Sequence, residues 1–145
     1  MSGVYALSLR RKRASSSYLA SKYQKWYIFG MTPGLKRVPA YFYRSAGGRE
    51  PVREWLQGLM PEDRRRIGED IKDVEYAWPL GMPLVRALGR ELWEVRSPLQ
   101  DGRMARVLFC LHKERMVLLH GFIKKTQKTP QREIELALKR MREER

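Results

Sequence analysis

The sequence predicts an α+β domain with a small, mostly antiparallel sheet of about four strands, in the order β-α-α-β-β-β-α. Three observations point to this class. Strand-like runs succeed one another at hairpin spacing between residues 92 and 123. Two amphipathic segments that begin with proline precede these runs, and another amphipathic segment follows them. The 145 residues suffice for one domain of ordinary size with a real core.

The first half of the predicted domain contains one strand and two helices. Val38 to Tyr43 has the aromatic and β-branched content of a strand. Pro51 and Pro61 each open a helix, where the missing N–H donor of proline costs nothing. The apolar stripes of the two helices comprise Val52, Trp55, Leu56 and Leu59 in the first and Ile67, Ile71, Val74 and Trp78 in the second. The proline- and glycine-rich stretch from Pro79 to Pro83 ends the second helix.

The second half contains three strands and a terminal helix. Leu92 to Arg96 alternates between apolar and charged residues. Met104 to His112 and Met116 to Ile123 are apolar on both parities, which is typical of strands covered on two faces. The short connection from Lys113 to Arg115 has neither Gly nor Asn, so its turn type stays open. Thr129-Pro130 is a good cap and first residue for a helix with the stripe Ile134, Ala137, Leu138 and Met141.

Charge favours a polyanionic partner. The net charge is +14, and residues 1 to 49 hold ten Lys or Arg and no acid. Within the predicted strands and the loop after them, from Arg96 to Arg132, nine Lys or Arg stand against two acids. Cations fixed on strands can hold a phosphate backbone in a defined position, as RNA or DNA binding and phosphodiester chemistry require.

The organisation of the chain changes near residue 36. Residues 1–36 show no sustained period, and we expect a basic, flexible N-terminal extension ahead of a domain over residues 37–145. Its scattered aromatics would suit stacking on single-stranded nucleic acid, its composition is also that of an organelle transit peptide, and a segment with no dedicated role is the third alternative.

Other features of the composition bear on the compartment. The single Cys110 cannot form an internal disulfide, which favours a reducing, cytoplasmic environment, and its apolar neighbours indicate a core position. No apolar run has the length of a membrane span, and we expect no membrane partner.

Four segments in fixed order resemble the RelE/HigB toxin superfamily, in particular its phage-derived HigB-like branch. They are Leu92 to Arg96, Arg103 to Phe109, Leu118 to Pro130 and the pair Glu133-Ile134. The resemblance spans residues 37 to 143, and Phe122 to Pro130 is its most specific part. It implies a RelE-like fold.

The resemblance also implies a function. Members of the superfamily are small endoribonucleases that enter the ribosomal A site, cut the mRNA there and so inhibit translation. They use the 2′-hydroxyl of the RNA as the nucleophile, without a metal ion or another cofactor. The implied partners are the ribosome, mRNA and a cognate antitoxin of the helix-turn-helix DNA-binding type, which would hold the toxin inactive in a hetero-oligomer.

The resemblance implies four candidate catalytic residues, and side-chain chemistry together with strand parity adds a fifth, His120. Arg106 aligns with the strand arginine that contacts the scissile phosphate, and Arg96 with a basic residue that ends the preceding strand. Lys124 and Lys125 match the basic pair that ends the last strand, where one should face the cleft and the other solvent or rRNA. His120 can transfer protons near neutral pH and shares its parity with Lys124.

Further candidates for RNA or ribosome contact are Arg103, Gln127 and Lys128. Structural alternatives stay open: pairing with Glu94 for Arg106, solvation of the strand end for Arg96, a hydrogen-bonded core position for His120, and ordinary loop positions for Arg103 and Gln127.

Two other functions stay open. From Lys124 to Arg145 the chain has no Tyr or His, so the tyrosine that some relatives carry in the terminal helix has no counterpart. A non-catalytic nucleic-acid-binding or regulatory module on the same fold is therefore an alternative. A third is a domain that serves mainly as the antitoxin's partner in a repressor complex, for which a groove beside the terminal helix would be suitable.

Overall fold

A computed structural model describes residues 35–126 and 128–144. Nearly all of the predicted N-terminal extension lies outside the described residues, as does Gln127. The strands are β1 (Ala40–Phe42), β2 (Val85–Gly89), β3 (Leu92–Pro98), β4 (Met104–His112) and β5 (Arg115–Lys124). The helices are α1 (Pro51–Gln57), α2 (Pro61–Ala77) and α3 (Gln131–Glu144), and a short 3₁₀ turn (Gln100–Gly102) joins β3 to β4.

The strands form one mixed sheet in the order β1-β5-β4-β3-β2. β1 runs parallel to β5, and every other pairing is antiparallel. The predicted α+β class is confirmed, whereas the predicted number of strands is one too low. The missed strand, β2, is a short edge strand after a proline-rich stretch, and Val85 is its only β-branched residue. Its pairing with β3 holds it in the sheet, which its own sequence does not indicate.

The helices cover both faces of the sheet. α1 and α2 pack on one face, where alternate β4 residues such as Val107 and Phe109 meet Ile67 and Ile71. α3 packs on the other face, against a cluster that includes Leu108 and Cys110. The prediction that β4 and β5 are apolar on both sides because both faces are covered is thus confirmed, and Cys110 is a buried core residue.

α2 ends at Ala77, and Trp78 lies just beyond it against the sheet. The Trp78 ring meets those of Trp93 and Phe109 edge to face, with centroids 5.2 and 5.6 Å apart. Such pairs add to the free energy gained by burial alone. Across the described ranges, no helix is both long enough and apolar enough to cross a membrane.

Gly121 allows α1 to approach β5 closely. A Cβ atom at this position would lie 2.4 Å from the ring of Trp55, closer than real Cβ contacts allow. The glycine in the middle of the strand therefore makes room for an aromatic ring rather than for a bend.

The β4–β5 hairpin closes through Lys113 and Glu114, because His112 pairs with Arg115. Both turn residues have positive φ, 53° and 62°, as a type I′ turn requires. The turn type that the sequence left open is therefore a strained one, since neither residue is Gly or Asn.

Glu75 of α2 caps the edge of the sheet beside β1. Its Oε2 accepts hydrogen bonds from the backbone N–H of Ala40 at 2.7 Å and from Lys36 Nζ at 3.1 Å. Burial raises the pKa of the Glu75 carboxyl, while these two partners act in the opposite direction. The carboxylate thus occupies an edge that would otherwise present an unpaired donor.

Candidate functional site

Two arginines on neighbouring strands face each other on the side of the sheet where α3 packs. Arg96 of β3 is directly opposite Arg106 of β4. Arg106 shares its face with Leu108, which belongs to the apolar cluster around α3. Like charges opposite each other destabilise a sheet unless a counter-charge is near.

Glu94 supplies that counter-charge, and Thr129 joins it to Arg106. Arg106 Nη1 donates to Thr129 Oγ1 at 3.2 Å, and the same hydroxyl donates to Glu94 Oε1 at 2.6 Å. The other carboxylate oxygen, Glu94 Oε2, lies 3.5 Å from Arg96 Nη1. We call Glu94, Arg96, Arg106 and Thr129 the charged cluster.

The charged cluster is buried. Arg106 and Glu94 have no exposed surface, Thr129 is 5% exposed and Arg96 8%. Burial lowers the pKa of the Arg106 guanidinium; Glu94 raises it, and Arg96 lowers it further. An alternative considered for Arg106, association with Glu94 on the same sheet face, is therefore present in the structure, with Thr129 as the intermediate. The Arg106 side chain has no surface open to solvent.

Three lysines lie in the loop that covers the charged cluster or at its start. The second Arg106 amino group, Nη2, donates to the backbone carbonyl of Thr126, so Arg106 holds the loop at both Thr126 and Thr129. Lys125 and Lys128, their neighbours in the chain, are exposed, and Lys124 at the end of β5 is half-buried. We call Lys124, Lys125 and Lys128 the lysine edge. Its fixed base and exposed cations are suited to a phosphate backbone.

His120 lies on the same face as Lys124, because it is opposite Leu108 and Lys124 is opposite Met104. Its Nε2 is 2.5 Å from Oε1 of Glu133 in the first turn of α3. The imidazole also stacks on Phe122, with centroids 5.5 Å apart. Both side chains of the pair keep some exposure, 16% and 14%. A carboxylate that holds one imidazole nitrogen orients the ring for proton transfer.

The structure separates Arg103 from the other candidates. Its guanidinium makes two hydrogen bonds to the Asp63 carboxylate of α2, at 2.9 and 3.2 Å, on the opposite side of the sheet. Gln127 lies outside the described residues. Of the eight predicted site residues, Arg96 and Arg106 form the buried centre, and Lys124, Lys125, Lys128 and His120 lie around it.

Sequence reasoning missed two participants. The sequence predicts that Thr129 caps a helix, but its hydroxyl contacts Glu94 and Arg106. Glu133 looks like an ordinary acid in the first turn of a helix, and only the packing of α3 brings it to His120. Over residues 35–126 and 128–144, no three His, Cys, Asp or Glu side chains are grouped to hold a metal ion.

The order of the elements, the mixed five-stranded sheet and the helices on its two faces define an α+β domain of the RelE-like class. Residues 54–142, from α1 to the last turn of α3, match the family model described as "Phage derived protein Gp49-like (DUF891)". The chain belongs to this family, a toxin-like family related to RelE/HigB-type toxins. No curated protein matches the chain.

Proposed function

We propose that the protein is the toxin of a type II toxin-antitoxin pair, of the HigB-like branch, and that it cuts mRNA on the ribosome. One observation carries the proposal: buried Arg106 of the charged cluster holds the loop that bears Lys125 and Lys128, and Lys124 shares a sheet face with His120, the partner of Glu133. The family match supports a toxin, and the chemistry of these side chains supports RNA as its target.

The lysine edge would hold the RNA. Lys125 and Lys128 are exposed on a loop that Arg106 holds at Thr126 and Thr129, so little backbone entropy is lost when their ammonium groups bind phosphates. Lys124 is half-buried and would take the position closest to the scissile phosphate, where partial burial strengthens its attraction to developing negative charge.

The proposed reaction is an internal transfer. The 2′-oxygen attacks the adjacent phosphorus as His120 takes its proton, the P–O5′ bond breaks, and the 5′-oxygen leaves with a proton from a lysine or from water. The products are a 2′,3′-cyclic phosphate and a 5′-hydroxyl. Lys124 stabilises the charge on the phosphoryl oxygens, and Glu133 keeps the His120 ring oriented.

In this proposal, the role of Arg106 and Arg96 differs from the one that the family resemblance implies. Because both guanidinium groups are buried, they would act as positioning residues that hold the loop and give the site a positive centre. Direct contact of Arg106 with the scissile phosphate stays a prediction that requires the loop to be displaced.

The partners belong to the same proposal. We infer a cognate helix-turn-helix antitoxin that forms a hetero-oligomer with the toxin, and the ribosome and mRNA as targets in the cytoplasm. The toxin class and the cationic surface support these partners.

Induction in growing bacteria tests the proposed function. Mapping of mRNA 5′ ends should reveal new ends in translated messages, together with growth arrest. Lys124→Ala/Lys125→Ala should lower the yield of these ends by roughly tenfold to a hundredfold. Arg65→Ala/Arg142→Ala, which removes two exposed helical cations elsewhere, should cut like the wild type. If induction of the wild-type protein produced no new ends in translated mRNA, this result would contradict the proposal that the protein is a nuclease.

The burial of Arg106 favours one second candidate, a non-catalytic nucleic-acid-binding module. That module would bind RNA through the lysine edge and cut none of it. Retained RNA binding by the purified protein, together with unchanged mRNA 5′ ends, would support it over the nuclease.

A further inference from the structure

A groove lies beside the C-terminal half of α3, away from the lysine edge. One wall is α3, and the other is the segment from Tyr43, just after β1, to Pro51, at the start of α1. Its volume of about 650 Å³ is enough for several side chains of a partner.

The floor of the groove is apolar and well ordered by its own contacts. Pro51 and Leu136 contribute apolar surface from the two walls. The Tyr43 ring is buried beneath the Arg140 guanidinium, whose carbon is 5.7 Å from the ring centroid. Arg140 Nη1 also donates to the Leu119 carbonyl at 2.8 Å, so its position is fixed before any partner arrives.

The rim of the groove is cationic. Lys139 is exposed, and the Arg44 side chain is 68% exposed and forms an ion pair with Glu50 at 3.7 Å. The one acid among the lining residues, Glu143, accepts the hydroxyl hydrogen bond of Tyr43. The groove therefore combines an apolar floor with exposed positive charge.

We propose that this groove binds an acidic, amphipathic peptide segment of a partner protein, with carboxylates on Arg44 and Lys139 and apolar side chains over Leu136. Charge selects this occupant. The chain's own residues 1–34 hold six Lys or Arg and no acid, so the rim would repel them. An RNA backbone would leave the apolar floor uncovered.

This inference rests on the proposed function in one respect: the partner that carries the segment is the antitoxin. A groove distant from the lysine edge allows the antitoxin to anchor without competing with RNA for the same cations. Removal of the groove charges should then weaken neutralisation and leave toxicity intact.

The test compares three proteins, each induced alone and together with the protein encoded beside the toxin gene. They are the wild type, Arg44→Glu/Lys139→Glu, and the control Arg65→Glu/Lys113→Glu, which reverses two exposed cations elsewhere. The groove variant should arrest growth like the wild type, resist rescue, and bind the neighbouring protein roughly tenfold or more weakly. The control should arrest growth and be rescued.

The other outcomes are distinguishable. Full rescue of the groove variant would overturn the groove as the docking site and leave the toxin proposal standing. Loss of toxicity in the groove variant, but not in the control, would overturn the proposal that the groove binds a peptide. It would favour contact of the groove with RNA or the ribosome. Failure of the neighbouring protein to rescue even the wild type would count against the proposed antitoxin, and with it against this occupant.

Hydrogen exchange on the purified complex gives an independent measurement. Backbone amides of residues 43–47 and 136–143 should exchange more slowly when the neighbouring protein is bound. Unchanged exchange in both segments, in a complex that forms, would overturn the proposed location.

Discussion

The buried guanidinium of Arg106 and the hydroxyl of Thr129 meet at 3.2 Å, and the same hydroxyl donates to Glu94. One threonine, 23 residues along the chain from Arg106, thereby connects the central strands to the loop that bears the lysines. The relationship makes stability and the proposed activity depend on the same side chain.

Replacement of Thr129 by Val should destabilise the fold by about 1–3 kcal/mol, because it removes one hydrogen bond from the buried guanidinium of Arg106 and one from the buried carboxylate of Glu94. Urea unfolding followed by tryptophan fluorescence measures the loss. Thr129→Ser keeps the hydroxyl and should cost much less. Thr126→Ala should also be mild, since Arg106 contacts the backbone carbonyl of Thr126. Equal losses in all three variants would contradict the role of the hydroxyl.

Gly121→Ala should destabilise by about 1–3 kcal/mol, because the new Cβ would overlap the Trp55 ring. Equilibrium unfolding of this variant and of Gly81→Ala, where nothing lies within 4 Å of the added Cβ, gives the comparison. In a Trp55→Leu background the Gly121→Ala change should cost less, since the clash is gone. A cost independent of residue 55 would show that overlap with the ring is not the cause.

Glu114→Gly should stabilise the protein by about 0.5–1 kcal/mol, because glycine adopts the positive φ of the β4–β5 turn without strain. The matched control is Glu135→Gly on the exposed side of α3, which should destabilise by about 1 kcal/mol. Thermal and urea unfolding of both variants check the opposite signs. Destabilisation by Glu114→Gly would contradict a strained turn.

The stability that Glu75 contributes should decrease as the pH rises. Burial raises the pKa of this carboxyl in the folded state. At pH values between the unfolded and the folded pKa, the folded protein therefore binds more protons than the unfolded protein. The free energy of unfolding should therefore fall as pH rises through that window, above about 4.3. Glu75→Gln should remove this slope while keeping an oxygen acceptor for the Ala40 N–H. A constant difference between wild type and Glu75→Gln from pH 4 to pH 8 would contradict the shift.

The His120–Glu133 pair should be needed for cleavage but much less for folding. His120→Gln should lower the yield of new mRNA 5′ ends by about 10² to 10⁴, the usual contribution of a general base. Glu133→Gln should lower the yield by a smaller factor, because it removes the carboxylate that orients the His120 ring. Glu135→Gln, on the same helix, is the control. Cleavage by His120→Gln at the wild-type rate would remove His120 from the mechanism.

Much of the fold follows from local patterns. The sequence predicts β4 with its observed limits, because Met104 to His112 is apolar on both parities, as is typical of a strand covered on two faces. Pro51 and Pro61 begin α1 and α2 as predicted. β2 was not predicted, because a short edge strand is defined by the neighbour to which it bonds, and that neighbour is specified elsewhere in the chain.

For the candidate site, too, local sequence patterns account for one part and tertiary packing for the other. The sequence by itself determined which cations the strands carry and, through strand parity, that His120 and Lys124 share a face. Only the tertiary structure decided that Arg106 is buried, that Thr129 contacts it, and that Glu133 reaches His120. The physical reason is the sequence separation of the interacting residues. Alternation along a strand is a property of neighbouring residues, whereas burial and hydrogen bonding depend on how α3 and its loop pack over the sheet.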